Sequence, residues 1–324
     1  MKATMQKTMR AAAIDRFGGI DEIRLQELPV PRIDADEILI RVEAAGVGVW
    51  DPYEREGGFA EMTGRQPRFP YVMGVDGAGV VVTVGRDVRD FAEGDRVWAM
   101  SMASPKGGFY AQYAAVKASD AAVVPDGMAM DQAGAMPADA ITALTGLDEV
   151  LNLSDGQKVL ILGAGGGIGH MAVQLAKRMG AAVLAVASGD DGVQLAGRLG
   201  ADVSINGRSE DIAAAARRFA PDGLDAALLT AGGPAAEAAL SAVRPGGRAA
   251  YPNGVEPVPG PREGISVEAY DGRGDPATIQ KLTALIEAGP FHVHVARTFP
   301  LERAADAHRA LETHYLGKLV LLPW

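Results

Sequence analysis

The sequence predicts an α/β protein in two parts, a β-rich domain first and a doubly wound parallel sheet after it. Three observations carry this. Short strand-like runs punctuated by Gly, Pro and Asp fill the chain up to about Asp131. From Gln157 onward, apolar strands alternate with helix-forming runs. A nearly side-chain-free turn, "GAGGGIG", joins the first of those strands to its helix.

In the first part, "AAAIDRF", "IRLQELPV", "EILIRVEAAGV", "AGVVVTVG" and "DRVWAM" read as strands, with "GRDVRDFAEGD" a polar turn. Near Asp131 the character changes, and "MDQAGAMPADAITALTGLDEVL" has helical periodicity. Strand "KVLILG" then leads to helix "GHMAVQLAKRMG", and "AVLAVAS" to "GVQLAGRLG". "DVSIN", "LDAALLTAG" and "GRAAYPNG" are further strands, separated by helices "DIAAAARRFA" and "PAAEAALSAV". The central strands are almost continuously apolar, as in a parallel sheet covered on both faces. Beyond "GVEPVPGPREG" come strand "ISVEAY" and helix "PATIQKLTALIEAG"; the tail from Phe291 reads strand, helix, strand.

Composition narrows the function. Hydrophobic residues make up 48% of 324 and charged residues 22%, an ordinary globular balance. A net charge of −10 with no basic block argues against nucleic acid or an anionic membrane as partner. Cysteine is absent, which excludes disulfides, thiolate nucleophiles and Cys-ligated zinc. The start of the chain carries charges but no apolar signal core, and no run is long enough to span a bilayer, so a cytoplasmic enzyme is the expectation.

The turn sits where a phosphate loop belongs. Gly163, Gly166 and Gly169 fall three apart, and Ala164-x-Gly166-x-x-Gly169 fits the dinucleotide register with alanine in the first glycine's place. Small residues admit the pyrophosphate, and the helix start attracts it, with Gly165, Gly166, Gly167 and Ile168 as binding residues. No Gly-Lys-Ser/Thr follows, so this is not a P-loop. At the end of the next strand, where NAD binders place an acid, stand Ala187, Ser188 and Gly189. That leans toward NADP(H), with Ser188 and Arg208 at the 2′-phosphate. Asp190 and Asp191 follow directly, and Arg208 reads equally as a solvated loop arginine.

Two halves of the chain then match one family. "MRAAAIDRFGGIDEIRLQELPVPRIDADEILIRVEAAGV", "PYVMGVDGAGVVVTVGRDVRDFAEGDRVWAM" and "GGFYAQYAAV" resemble the GroES-like domain of medium-chain dehydrogenases/reductases. "GAGGGIGHMAVQLAKRMGA" resembles their nucleotide loop, and "TFPLERAADAHRALE" with "GKLVL" their returning C-terminal segment. The resemblance implies a GroES-like catalytic domain over 1–132 and 273–324 and a Rossmann domain over 133–272. It also implies a homodimer through an edge strand, with "RAAYPNGV" and "ISVEAY" as the edge candidates.

The superfamily's zinc enzymes carry a catalytic Cys, a Gly-His-Glu motif and a four-Cys lobe. Here the corresponding regions read "GVGVWDPY" and Gly74-Val75-Asp76, and the lobe is missing. The chain therefore resembles the zinc-independent quinone oxidoreductase branch, which implies reduction of quinones or activated C=C bonds with NADPH and no metal site. His292 and His294 share a predicted strand face, without a third ligand. Asp51 and Tyr53 match that branch's Asp-x-Tyr; its preceding asparagine is Gly48 here, and its usual 2′-phosphate Lys and Tyr are Gly192 and Gly207.

The chemistry assigns roles from there. Tyr53 offers a phenolic donor for a substrate oxygen, on a loop expected at the interdomain cleft; the alternative is a packing wall. Asp51 reads first as the residue holding that loop. Trp50 and Phe59 shape an apolar pocket, or Trp50 belongs to the core. Thr142 matches a position beside the nicotinamide, while Gly232 and Asn253 follow strand ends where such sheets bind ligands. His170 opens the loop helix and reads first as a surface histidine, with an approach to the pyrophosphate as the alternative, and Lys318 in "GKLVL" receives no role. Two other functions stay in play: a nucleotide-binding redox sensor or scaffold with little catalysis, motivated by Gly48, and an enoyl-thioester reductase.

Overall fold

In the computed structural model, which describes residues 6–64 and 66–324, the chain divides into two units. One comprises Met1–Ala138 with Val295–Trp324, the other Asp139–His294.

The first unit opens with strands β1 (Thr8–Ile14), β2 (Arg24–Pro29) and β3 (Glu37–Val47). Two six-residue helices follow, α1 (Trp50–Arg55) and α2 (Gly58–Thr63). Strands β4 (Tyr71–Val72), β5 (Asp76–Val84), β6 (Arg96–Met100), β7 (Tyr113–Lys117) and β8 (Ala121–Val123) lead to helix α3 (Met130–Ala135). β3 is apolar through most of its eleven residues because both its edges are paired and both its faces covered. It bonds antiparallel to β5 and to β7, and Ile38, Ile40, Val42 and Val47 are fully buried.

Helix α4 (Pro137–Leu144) and a π-helical stretch (Thr145–Val150) lead into the alternating series. Its strands are β9 (Lys158–Leu162), β10 (Ala182–Ala187), β11 (Val203–Asn206), β12 (Leu224–Leu229), β13 (Val243–Pro252) and β14 (Ser266–Tyr270). Its helices are α5 (Gly167–Arg178), α6 (Asp190–Arg198), α7 (Ile212–Phe219), α8 (Pro234–Leu240) and α9 (Pro276–Glu287). The six strands form one sheet, paired in parallel throughout, in the order β11-β10-β9-β12-β13-β14. Counted within the unit this is the Rossmann order, with the sheet's topological reversal between the first and fourth strands. The order places the tip of β9, and so the glycine turn, at that reversal.

The chain then returns to the first unit through β15 (Val295–Pro300), α10 (Ala304–Ala310) and β16 (Lys318–Leu322). β16 joins β3 antiparallel, extending the first unit's sheet to the order β15-β16-β3-β5-β6-β8, with β7 also on β3; β2-β1-β4 form a second, three-stranded sheet. The fold is thus the α/β pairing of a GroES-like domain with a Rossmann-type sheet. Among the described residues no helix is long and apolar enough to cross a membrane.

The second unit continues to His294, beyond residue 272, where the sequence reading ends it. Arg178 supplies a physical reason. It terminates α5 and turns its guanidinium onto the carbonyl end of α9, donating to Leu285, to Ile286 (2.8 Å), to Gly289 (2.9 Å) and to Pro290 (2.6 Å). The same group lies over the Phe291 ring at 5.2 Å. Helix-terminal carbonyls otherwise lack donors, so one cation closes the end of α9. Arg178→Ala is expected to cost about 2 kcal/mol. Urea denaturation reads this loss, and an unchanged midpoint would show that water replaces the guanidinium without penalty.

Candidate active site

The second unit builds its site from the glycine turn. Gly163 follows β9 with φ +80°, a conformation that suits glycine, and its N–H and that of Ala164 both donate to Val186 O on β10 (2.9 and 3.0 Å). The Gly166 N–H closes the turn on Gly163 O (2.9 Å). A Cβ on Gly169 would lie 2.1 Å from that same oxygen and 2.8 Å from the Ala164 Cα, so helix and turn touch through backbone alone. Gly166 caps α5 in an extended conformation, and the first intrahelical bond runs from the His170 N–H to Gly166 O (3.1 Å). That leaves the N–H groups of Gly167, Ile168 and Gly169 as the open first-turn donors. Gly166, Gly167 and Ile168 are half-buried, Gly165 buried. A turn without side chains, a row of helix-start donors and a close glycine contact fit the pyrophosphate of a dinucleotide.

The other predicted nucleotide residues gather at the same end of the sheet. Ser188 and Arg208 both lie exposed just past Ala187 and Asn206, which are paired neighbours at the tips of β10 and β11. Asp190, at the head of α6, accepts from the Asn206 amide (2.8 Å). Gly232 lies just past β12, and a Cβ there would lie 1.9 Å from Pro257 O, so packing alone accounts for this glycine. Asn253 lies just past β13, exposed, its backbone N–H bonded to Tyr270 O (2.8 Å). Thr142, on α4, packs against the segment after β14, where a Cβ on Gly272 would meet its Oγ1 at 2.5 Å.

Thr230 was not singled out by sequence reasoning. Its N–H and Oγ1 both bond Leu162 O (3.1 and 2.8 Å), bracing the strand that carries the turn. His170 differs from its expected surface position: it is fully buried. His292 and His294 do not share a strand, which begins only at Val295, and their rings stand 6.2 Å apart. Among the described residues no cluster of three or more His, Cys, Asp or Glu side chains is grouped to hold a metal.

In the first unit, "GVGVWDPY" folds into the end of β3, the turn before α1 and that helix's first residues. Asp51 is buried and accepts from the Gly48 N–H (2.6 Å), so its carboxylate closes the turn. Burial, with the neighbouring Glu54 charge, pushes Asp51 up to about 8. Glu54 is itself raised by burial, against stabilising bonds from the Gly74 N–H (2.9 Å) and the Tyr71 hydroxyl (2.8 Å). The Tyr110 phenol lies by Asp51, raised by burial and by that carboxylate, and sits outside good hydrogen-bond geometry. Tyr53 is half-exposed, its ring edge-on to Phe59 with centroids 5.3 Å apart. A Cβ on Gly58 would lie 2.1 Å from that ring, so bare backbone lets the tyrosine lie down against α2. Phe59 lines a small cavity of about 70 Å³ with Phe17, Glu54, Pro67, Tyr71 and Ser104. Trp50 is half-buried, and the Lys318 ammonium lies 3.3 Å from where a Gly48 Cβ would stand.

Comparison with known proteins agrees with these two halves. Residues 34–126 match the alcohol dehydrogenase GroES-like domain, and residues 167–257 match the zinc-binding dehydrogenase family. The chain is 33% identical to an NADPH-dependent alkenal/one oxidoreductase, chloroplastic, of Arabidopsis thaliana, over 99% of this chain and 81% of that one. It is 30% identical to a quinone oxidoreductase of Lama guanicoe, over 99% of both chains. A solved NAD-dependent alcohol dehydrogenase superposes with a TM-score of 0.88 at 28% identity, covering 98% of this chain and 100% of that one. The chain belongs to the medium-chain dehydrogenase/reductase superfamily. Within that superfamily, its relatives include quinone oxidoreductases and an alkenal reductase, and it is an oxidoreductase of a nicotinamide-dependent family.

Proposed function

We propose that this chain reduces quinones or α,β-unsaturated carbonyls with NADPH, by hydride transfer and without zinc. The observation that carries the reading is the side-chain-free turn with its open helix-start donors at the Rossmann sheet's reversal, in a chain with no cysteine. The names of the relatives support the acceptor class.

When bound, the dinucleotide supplies the hydride. The residues of the chain do the rest. The N–H groups of Gly165, Gly167 and Ile168 hold the pyrophosphate, and Gly166, its own N–H spent on Gly163 O, admits it by having no side chain; Thr142, Gly232 and Asn253 border the nicotinamide end, and Ser188 with Arg208 takes the 2′-phosphate. As hydride reaches the β-carbon, charge grows on the carbonyl oxygen, and the Tyr53 hydroxyl donates to that oxygen. A proton from water completes the saturated carbonyl, or the hydroquinone. Asp51 keeps the Gly48 turn closed, which fixes the direction of α1 and of Tyr53 upon it.

Chelator-treated protein is expected to oxidise NADPH with enones or quinones. Dinucleotide binding without turnover on any such acceptor favours the sensor or scaffold reading. Asp190, held by Asn206 two residues past Ser188, favours NADH as the competing cofactor. The two are separated by Ser188→Asp, which is expected to lower NADPH affinity about tenfold by placing a carboxylate against the 2′-phosphate, with NADH affinity little changed. Equal losses for the two cofactors would displace the 2′-phosphate from Ser188.

A further inference from the structure

We propose that His170 is a positioning residue for the pyrophosphate donors of the glycine turn, coupling them to the backbone at His292–His294; this rests on the dinucleotide reading above. The Gly166 carbonyl accepts twice from His170, from its main-chain N–H (3.1 Å) and from its ring Nδ1 (2.7 Å). A carbonyl only accepts, so Nδ1 carries the proton. The His294 N–H donates to the ring's Nε2 (3.2 Å), so that nitrogen carries the lone pair. Both ring nitrogens are therefore used, the tautomer is fixed, and the imidazole is neutral and fully buried.

Gln174, one helical turn on, completes the arrangement. Its amide nitrogen donates to His170 O (3.1 Å) and His292 O (2.8 Å), and its oxygen accepts from the His292 N–H (2.9 Å). The backbone of 292–294 thus finds its partners on side chains of α5, one of which also grips the glycine turn.

The consequence lies in one peptide plane. The Gly166 carbonyl and the Gly167 N–H belong to the same rigid amide. Two donors on the oxygen fix the rotation of that plane and hold the N–H at the start of the helix. They also polarise the amide, which strengthens its N–H as a donor to an anion. His170 so acts on the ligand's pyrophosphate through Gly167, without touching it. A nucleotide that lacks a pyrophosphate gains nothing from the arrangement.

The test uses the full chain, calorimetric titration and three ligands: NADPH, NADH, and adenosine 2′-monophosphate, which has no pyrophosphate. His170→Phe keeps a ring and loses both bonds, whereas His170→Gln keeps a donor and an acceptor. The phenylalanine variant is expected to bind both dinucleotides about tenfold more weakly and the monophosphate unchanged, raising KM for the dinucleotide at constant kcat. The glutamine variant is expected to recover most of the affinity. Unchanged dinucleotide affinity in His170→Phe, equal losses for all three ligands, or no recovery with glutamine overturns the proposal. The unmutated protein gives a second reading that needs no variant: dinucleotide binding is expected to slow amide exchange at His294, and an unaffected rate overturns the coupling. If the unmutated protein binds neither dinucleotide, the functional reading falls, and this inference with it.

Discussion

Gly169→Ala is expected to weaken dinucleotide binding at least tenfold and to lower the melting temperature by several degrees, whereas Gly166→Ala is expected to weaken binding alone. The two glycines differ in what a methyl group meets. On Gly169 it would lie 2.1 Å from Gly163 O and 2.8 Å from the Ala164 Cα, both backbone atoms of the turn. No rotamer relieves that contact, so α5 and the turn must separate, at a cost of about 1–3 kcal/mol of overpacking. The Gly163 oxygen that would be displaced also accepts the Gly166 N–H. The turn therefore opens where the anion donors are set. On Gly166 the nearest atom to a methyl group is Gly163 O at 3.4 Å, and φ is −85°, which alanine adopts freely. The protein accepts that methyl group; the pyrophosphate, which must approach the same backbone, does not. Melting curves and fluorescence titration with NADPH separate the two effects. Tight NADPH binding by Gly169→Ala would refute the account of the turn, and a destabilised Gly166→Ala would show that the second glycine serves packing as well.

The second unit was legible because its signals are local. Each strand of the parallel sheet is a short apolar run bounded by turn residues, and its order follows from strict strand–helix alternation. The glycine turn was readable for the same reason: its spacing is contained within seven residues, Gly163 to Gly169. What escaped depends on partners far away in sequence. "FHVHV" alternates like a strand, yet the backbone of His292 and His294 is bonded by Gln174 and His170, 118 and 124 positions earlier. Those side chains take the N–H groups that a neighbouring strand would need. His170 was placed at the surface because it opens a helix, and it is buried because that helix start faces the same segment. Helices α1 and α2, six residues each, are too short to show a period. Their signal was chemical: Asp51 and Pro52 stand in the first turn of α1, as acids and proline do at helix starts. The burial of Asp51, Glu54 and Arg55 on one short helix had no sequence signature. Glu54 and Arg55 in "WDPYER" received no reading, because their partners Tyr71, Gly74 and His308 are distant in sequence.

That last partner carries the largest expected effect on stability. His308 is 1% exposed, and its Nδ1 lies 3.0 Å from a guanidinium nitrogen of Arg55. Arginine only donates, so Nδ1 accepts and the ring is neutral. The ring's Nε2 is buried without a hydrogen-bond partner, and its edge-on neighbour is Tyr110, with centroids 5.8 Å apart. Burial first, and the Arg55 charge second, push His308 down to about 3. An unfolded chain protonates this histidine near pH 6.5. Between those values the unfolded state holds a proton that the folded state refuses, so stability is lost as pH falls from about 6.5 toward 3, by up to about 1.4 kcal/mol per pH unit. By pH 4 the loss from this residue reaches roughly 3 kcal/mol. Asp51 works in the opposite sense. Pushed up to about 8, it binds its proton more tightly when folded, so its contribution grows as pH falls through that value. The measured curve is therefore a sum, and a difference between variants isolates the histidine. His308→Asn keeps an acceptor for Arg55 in the position of Nδ1 and cannot titrate. Urea midpoints from pH 4 to pH 8 are expected to diverge, with the asparagine variant losing less stability on acidification by roughly 3 kcal/mol at pH 4. His308→Leu is expected to destabilise at every pH by about 2–3 kcal/mol, because it leaves the buried Nη1 of Arg55 without its acceptor while Nε and Nη2 stay on Gly18 O and Glu56. Parallel pH curves for the native protein and His308→Asn would mean that the folded state takes up the proton without penalty, through withdrawal of the Arg55 Nη1 from the ring while Nη2 stays on Glu56.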